Sequence, residues 1–524
     1  MPLNDWSPVT ADHEPNPAEA APQVVLEVER KYRVHGLFRM PRLEPYAVDE
    51  PVMQELSATY VDTEDLRLAR WGVTLRRREG GSDAGWHLKL PVPDADGSRE
   101  EIRLPLGEGS EVPEQLASLV TAYVRSAPLN PVATLRTERS SIIVRDETGA
   151  PAAEVTDDSV SVLDGDHVAA RFRELEVEDL GGGDDVLDGL ERRLSEAGAI
   201  RGAFVSKAAR ALGPLASAEP DVAQPHPTRP QDPAGDVVQA HIARNVRALV
   251  EQDVRVRRDL PDSVHQMRVA ARRIRSGLKV FTPLVDPGWS EHLRSELQWL
   301  ASTLGEIRDR EVLEVRLLRD LDQLSRPESV DIGPAAALVR KTLDADMAAG
   351  RADVDAALSS ARYVALLDAL VVAAAEPHLT EAAAVPAEDA LPPLVTKAWK
   401  RLARDVGRLE LDAPDHDWHE TRIAAKKMRY ATEALVPVFG KAAKRLAEQV
   451  EQVTELLGEH QDAAVAAEQV HALTTGRRVG ATAAFTLGLL YAEERRAVDT
   501  ARLRFVAVWP EVSRKRWRRW LSEG

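Results

Sequence analysis

Between Pro214 and Pro233 six prolines fall within twenty residues, and almost no large apolar side chain accompanies them. Proline fixes its own φ and removes a hydrogen-bond donor, so this stretch reads as a semi-extended connector belonging to neither flanking core. It divides the chain into regions whose hydrophobic patterns differ in period. Before it, short runs alternate between apolar and polar residues and are bounded by Gly, Pro and Asp, as strands are. After it, Ala, Leu, Arg and Glu recur with a period near 3.6 and strand signals vanish. At 524 residues the chain is too long for a single core. Two cores of different class are therefore expected, a sheet before the connector and helices after it.

Eight runs carry the strand pattern: Val24–Arg33, Val73–Arg78, Gly85–Leu90, Glu100–Leu106, Thr134–Arg145, Ala152–Thr156, Val160–Leu163 and Ala170–Asp179. So many short runs in sequence predict an antiparallel sheet or barrel. Helices are expected at Pro113–Arg125 and Asp185–Ala197. The predicted division is a tail over 1–22, a sheet domain over 23–213, the linker over 214–235 and a helical domain over 236–524. The tail is acidic and rich in Pro and Ala, so it is read as disordered and not as a secretory leader. The longest apolar stretch, Val364–Ala375, is interrupted by Asp368, and no membrane span is expected. The chain contains no cysteine, which excludes disulfides, thiolate metal sites and a cysteine nucleophile. A cytoplasmic protein is expected.

The helical region repeats itself. His265-Gln-Met-Arg268-Val-Ala-Ala-Arg272-Arg273-Ile-Arg275 aligns with His419-Glu-Thr-Arg422-Ile-Ala-Ala-Lys426-Lys427-Met-Arg429, and Leu304-Gly-Glu-Ile-Arg308-Asp309 aligns with Leu457-Gly-Glu-His-Gln461-Asp462. Two matches at nearly one offset predict two pseudo-repeated bundles, about 236–375 and 390–524, separated by the Ala- and Pro-rich Ala374–Pro393. Charge is divided as sharply. Residues 236–524 hold 43 basic and 43 acidic side chains, so the whole net charge of −17 lies in the first 235 residues. That excess argues against loose nucleic-acid binding there and fits a site that collects metal cations.

On a strand, alternate side chains share a face. Glu27, Glu29 and Lys31 therefore point one way, as do Arg76 with Arg78 and Glu174 with Glu176; Lys89 stands in the same kind of pattern. A solvated face would mix signs to keep like charges apart, whereas these strands segregate them. Clustered carboxylates are hard oxygen ligands for Mg²⁺ or Mn²⁺, and facing cations suit a polyanion. Glu178 extends the acidic face at a strand end and is read as a solvated carboxylate.

Glu27-x-Glu29-x-Lys31, followed in order by Tyr60-Val-Asp62-Thr63, Arg76 with Arg78, Lys89, Glu154 with Asp158, Glu174-Leu-Glu176 and Ser206-Lys207-x-x-Arg210, resembles the CYTH family, the triphosphate tunnel metalloenzymes. The resemblance covers about residues 22–213. It implies an eight-stranded antiparallel barrel around a tunnel that binds a triphosphate and divalent cations. Members hydrolyse inorganic or thiamine triphosphate, and some make cyclic AMP. Carried onto this sequence, Glu27, Glu29, Glu174 and Glu176 would hold metal with Asp158 assisting. Lys31, Arg76, Arg78, Lys89 and Arg139 would clamp phosphate oxygens, and Lys207 would close one end. Arg136 also fits the place given to Arg139, and a spacing of three means that the two cannot share one strand face.

On a helix, His265, Arg268, Arg272, Arg275 and Lys279 form one stripe about 80° wide, and His419, Arg422, Lys426 and Arg429 form its counterpart. Arg273 and Lys427 add charge beside them. Like charges at these spacings repel, and a bound anion would relieve the repulsion. The two copies resemble the CHAD family, a pair of pseudo-symmetric helical bundles facing a basic groove, linked to inorganic polyphosphate. A CYTH domain followed by a CHAD domain is a familiar bacterial arrangement. The basic and aromatic Arg514–Trp520 is expected to be an amphipathic helix docked by its Trp residues, in preference to a nucleic-acid or membrane element.

The expected protein is thus multidomain α+β: a Mg²⁺- or Mn²⁺-dependent triphosphatase barrel, with inorganic triphosphate as the expected substrate, joined to a polyphosphate-binding module. It would reside in the cytoplasm, where polyphosphate granules could hold it. A barrel that binds polyphosphate without cleaving it is the main alternative. Thiamine triphosphatase and adenylyl cyclase rank lower, because nothing marks a base-recognition pocket.

Overall fold

The computed structural model describes residues 22–92, 98–107, 109–202, 206–324, 330–475 and 478–522. The expected tail lies outside them except for Pro22. The chain forms two compact units, divided between Asp221 and Val222.

In the first unit eight long strands make one sheet: β1 Gln23–Arg33, β2 Val52–Asp62, β3 Thr74–Glu79, β4 Gly85–Pro91, β5 Ser98–Leu104, β6 Asn130–Arg145, β7 Pro151–Asp164 and β8 His167–Asp179. Every pairing is antiparallel, in the order β1-β5-β4-β3-β2-β6-β7-β8, and β8 returns to pair with β1, closing a barrel. Three points differ from expectation. Ala152–Thr156 and Val160–Leu163 are parts of one strand, β7, and β2 was not foreseen. The helix expected over Pro113–Arg125 is two short pieces, Glu114–Leu119 and Thr121–Val124.

Alternation assigns the two faces of this sheet. Outward, Tyr32, Val144, Ala153, Val155, Leu175 and Val177 pack beneath Leu187, Leu190 and Leu194 of α1 (Gly183–Glu196). Each buried Leu contributes about 1.5–3 kcal/mol. Inward, the intervening residues of β1, β7 and β8 are charged. Farther along the inner face, Ala58, Tyr60, Leu135 and Val160 pack against Ala208 of α2 (Lys207–Leu212), which makes that end of the lumen apolar.

The first part of the Pro-rich stretch is docked on this unit. Ala216 is buried, and the Asp221 carboxylate accepts from Trp71 Nε1 at 2.9 Å and pairs with Arg125. Polar anchors hold a segment whose one large apolar residue, Leu215, is exposed.

The second unit is helical: α3 Ala234–Arg257, α4 Ser263–Val280, α5 Pro287–Leu324, α6 Gly333–Leu358, α7 Ala361–Ala375, α8 Pro392–Val406, α9 Asp415–Glu433, α10 Val436–Thr475 and α11 Ala481–Val512. The repeat places α4 and α5 in correspondence with α9 and α10. The halves share a core, in which Leu313 and Leu317 of α5 and Val339 of α6 meet Ala466 and Val470 of α10 and Leu487 of α11. Among the described residues no single helix is long and apolar enough to cross a membrane. The segment Arg514–Trp520 forms 3-10 turns instead of the expected α-helix, with Trp520 against Phe439 (5.0 Å between centroids) and Arg518 3.8 Å above Trp399.

Candidate functional site: a charged lumen and a basic groove

The barrel encloses a cavity of about 300 Å³ lined by eight cations and seven carboxylates. Strand register explains its layout. Glu29 stands opposite Glu178, Lys31 opposite Glu176, Asp158 opposite Glu174 and Arg139 opposite Asp158. Acids therefore concentrate on β1, β7 and β8. Arg76 and Arg78 of β3, Lys89 of β4 and Arg99 and Arg103 of β5 supply most of the cations.

Nearly every sequence-predicted lumenal residue is brought together here. Lys31 lies 3.1 Å from Glu29 and pairs with Glu176, and Lys89 pairs with Glu27. Lys207, at the start of α2, reaches Asp158 at 3.0 Å, Glu174 at 3.1 Å and Glu176 at 2.6 Å. The Ser206 hydroxyl caps that helix by accepting from the Ala209 amide. Arg139 grips both oxygens of Asp158, at 2.8 and 2.7 Å. Asp158, fully buried, thus orients Arg139 and Lys207, and neither it nor Glu174 lines the cavity. Arg136 is exposed on the outer face, as its odd spacing from Arg139 requires. Glu178, read as solvated, lines the lumen. Asp62 holds a turn by accepting from the amides of Thr63, Leu68 and Ala69.

The residues missed in the sequence lie on β4 and β5. Glu101 is fully buried; it accepts from Arg103 Nε at 2.6 Å and lies 3.6 Å from Arg76 and 3.7 Å from Lys89. His87 Nδ1 stands 2.9 Å from Glu101. The alternation Arg99-x-Glu101-x-Arg103 was the available signal, but its mixed signs resemble a solvated face.

The electrostatics differ across the lumen. Burial and then the neighbouring Arg76 depress Arg78 to about 10. The Nε atoms of Arg76 and Arg78 are buried without a hydrogen-bond partner among the described residues, although Arg78 pairs with Asp83 and Arg76 lies 3.6 Å from Glu101. On the acidic side, burial and then Glu27, Glu154 and Glu29 push Glu178 up to about 7. Burial, with Glu176 adding to it, also raises Glu29. Burial opposes ionisation of Glu176, yet Lys207, Lys31 and Arg139 outweigh it and hold that carboxyl well below its ordinary range.

Among the described residues no three His, Asp or Glu side chains already stand at metal-ligating positions. The donor set nonetheless suits a divalent cation. Glu27, Glu29 and Glu178 are crowded carboxylates, and a cation would relieve the repulsion that raises Glu29 and Glu178.

In the helical unit α4 packs against α9. Their stripes bring Arg268, Arg272, Arg422 and Lys426 within mutual electrostatic reach, and burial followed by Arg422, Arg272 and Arg268 lowers Lys426 to about 7. Asp309 accepts from Arg268 at 2.6 Å. Arg272, Arg422 and Lys426 have no ion-pair partner among the described residues, and the Nε atoms of both arginines are buried and unsatisfied. Arg268, Arg272 and Arg275 line a cavity of about 310 Å³.

The repeat is not symmetric in chemistry. Arg429 is tied to Glu433 (2.6 Å) and Glu451, while its counterpart Arg275 is beside Arg294. His419 meets Gln461 at 2.6 Å, where His265 faces Arg308. Lys279, Arg273 and Lys427 are exposed and do not line that cavity, and Arg273 reaches Glu433 at 3.4 Å.

A CYTH-domain model matches residues 26–212 and a CHAD-domain model matches residues 240–471. Of solved structures, PptA from Streptomyces chartreusis is 29% identical over 53% of this chain and 100% of its own, with a TM-score of 0.46. The CHAD domain of the plant Ricinus communis is 24% identical over 53% of this chain and 94% of its own, with a TM-score of 0.42. An uncharacterized protein of Mycobacterium tuberculosis (strain H37Rv) is 35% identical over 520 residues, 93% of this chain and 96% of that relative. A likeness of that extent, with both domain models matched in order, places the chain in the family of proteins that carry a CYTH domain followed by a CHAD domain.

Proposed function

We propose that the barrel hydrolyses the terminal phosphoryl group of a short triphosphate, inorganic triphosphate first among them, and that the helical unit binds polyphosphate. The observation that carries the catalytic reading is the pair Arg76 and Arg78, each with an Nε atom left without an acceptor, facing a crowded carboxylate bank across one lumen. Phosphoryl transfer requires mainly alignment and neutralisation of charge, and such a site supplies both signs. Arg76, Arg78, Arg139 and Lys207 would hold the phosphate oxygens, while Asp158 fixes the directions of Arg139 and Lys207. Glu27 and Glu29, with Glu178, would hold a divalent cation, which would supply further neutralisation of phosphate charge. Water adds to the terminal phosphorus as the bridging P–O bond breaks, giving orthophosphate and diphosphate.

For the helical unit, Arg272, Arg422 and Lys426 support the reading, since they make no ion pair among the described residues and their mutual repulsion, only partly offset by Asp309 and Asp462, favours an anion. The deciding assay is phosphate release by the full-length protein from inorganic triphosphate, thiamine triphosphate, ATP and long polyphosphate, each with Mg²⁺ and with Mn²⁺. Release confined to short chains supports the reading. No release from any of them would leave a binding protein.

A further inference from the structure

We propose that His87 is a proton-binding positioning residue of the lumen, taking a proton from solvent when a triphosphate enters and thereby fixing the surrounding cation clamp. The inference deepens the triphosphate reading and rests on it. His87 is 1% exposed and lies between two groups that can only accept when the carboxylate is ionised. Its Nδ1 is 2.9 Å from Glu101 Oε1, and its Nε2 is 2.9 Å from the Asp83 carbonyl oxygen. A neutral imidazole carries one N–H, so it can satisfy only one of these partners. Satisfying both takes one more proton, on the ring or on Glu101. Arg103 Nε at 2.6 Å, with Arg76 and Lys89 nearby, stabilises Glu101 as a carboxylate, so the ring is the place for it.

The groups facing the ring oppose each other. Arg76 and Arg103 are its direct neighbours across the sheet on either side, and Arg78 lies on the same strand as Arg76. Glu101 and Asp83 are the acids, and Lys89 follows two residues along β4. Without a bound polyanion, burial and then Arg76 and Arg78 disfavour the charged ring despite Glu101. A triphosphate against Arg76 and Arg78 would cancel their repulsion and favour it.

The ring is also well placed to act on the clamp. Asp83, whose carbonyl meets Nε2, pairs through its carboxylate with Arg78, and Glu101 lies against Arg76, Lys89 and Arg103. The Asp83 turn is itself closely fitted. Gly80 has φ +79°, and a Cβ there would meet the Glu55 carbonyl oxygen at 2.3 Å. One proton on His87 therefore joins the turn that holds Arg78 to the carboxylate that holds the other three cations.

The test is calorimetric binding of inorganic triphosphate to the full-length protein in chelator-treated buffers of different ionisation heat, comparing wild type with His87→Gln and His87→Asn. Near pH 6.5 wild type should take up more protons than either substituted protein, by roughly half a proton or more. From pH 6 to 8 its Kd should rise more steeply than theirs, by up to about tenfold per pH unit. Ring-nitrogen NMR of wild type should show one histidine becoming doubly protonated on adding triphosphate, which decides the matter even where a substituted protein fails to fold. Equal proton uptake, or a pH-independent loss of affinity on substitution, overturns the proposal and leaves a structural histidine. A spectrum in which no ring changes state overturns it equally. Absence of any triphosphate binding overturns the triphosphate reading together with this one.

Discussion

The lumen and the groove both gather cations, yet they treat them in opposite ways. In the lumen Lys31, Lys89, Arg139 and Lys207 are each set against a carboxylate, and burial is tolerated because opposite charges are interleaved. In the groove Arg272, Arg422 and Lys426 are left without ion-pair partners among the described residues. The contrast fits the two tasks proposed for them. A site that must hold a polyanion and also a cation needs both signs close together. A surface that only holds a polyanion works best with its positive charge uncompensated.

The largest effect should come from removing the acid bank. In the proposed triphosphatase, Glu27→Ala combined with Glu29→Ala should lower phosphate release from triphosphate on the order of a thousandfold, since charge stabilisation in an enclosed site is at stake. Polyphosphate binding by the helical unit should be unaffected. Thermal melting checks that the barrel remains folded, and unchanged turnover in a folded double variant would remove the lumen from consideration.

Reversing the groove sharpens the comparison from the other side. Arg268→Glu, Arg272→Glu, Arg422→Glu and Lys426→Glu together should weaken polyphosphate binding by about a thousandfold or more, because like-charge juxtaposition costs several kcal/mol. Triphosphate hydrolysis should persist in the same protein. Retained polyphosphate affinity at physiological salt would mean that these stripes are ordinary solvated faces, and Arg514–Trp520 would be tested next.

Salt should distinguish the two sites by a smaller margin. Four phosphate contacts in an open groove imply roughly a fiftyfold loss of polyphosphate affinity between 50 and 200 mM salt, through released counterions. The enclosed lumen, less screened, should lose less affinity for triphosphate over the same range. Titration of both ligands at several salt concentrations measures both slopes, and equal slopes would erase the distinction.

Sequence alone showed where the charges are but not all of their directions. Strict alternation made Glu27, Glu29, Lys31, Arg76 and Arg78 legible, because period two fixes the face whatever the partner strand. It failed for β7, where Thr156-Asp-Asp-Ser159 imitates a turn. In the fold Asp157 pairs outward with Arg173 at 2.8 Å while Asp158 faces inward to Arg139, so both acids belong to one continuous strand. It failed for β2 because the alternation of Leu56, Ala58 and Tyr60 with Ser57 and Thr59 is short, preceded by exposed Val52 and Met53 and by a polar Gln54 on the same face. Glu101 and His87 are not legible from segregated signs, because β5 alternates Arg, Glu and Arg along its inner face. The helical repeat announced the paired stripes, but not that Arg429 would be neutralised by Glu433 and Glu451 while Arg275 would not.

The smallest effect expected is also the most direct test of uncompensated charge in the groove. Lys426 is depressed to about 7 by burial and by three facing arginines, against an ordinary value near 10.4 when unfolded. The unfolded chain therefore binds more protons than the folded one between these values, and stability should rise as pH climbs from about 7 toward 10. Below pH 7 both states are charged and the full repulsion is present. Lys426→Met should accordingly raise the melting temperature at pH 6–7 by about 2–4 °C, after allowance for the partial exposure of the side chain, with the advantage shrinking toward pH 10. Long polyphosphate should reverse the order at pH 6, stabilising wild type more than the variant because the ligand favours the charged lysine. A variant with wild-type melting temperatures across this range, with and without polyphosphate, would show that the groove arginines and Lys426 do not share one field.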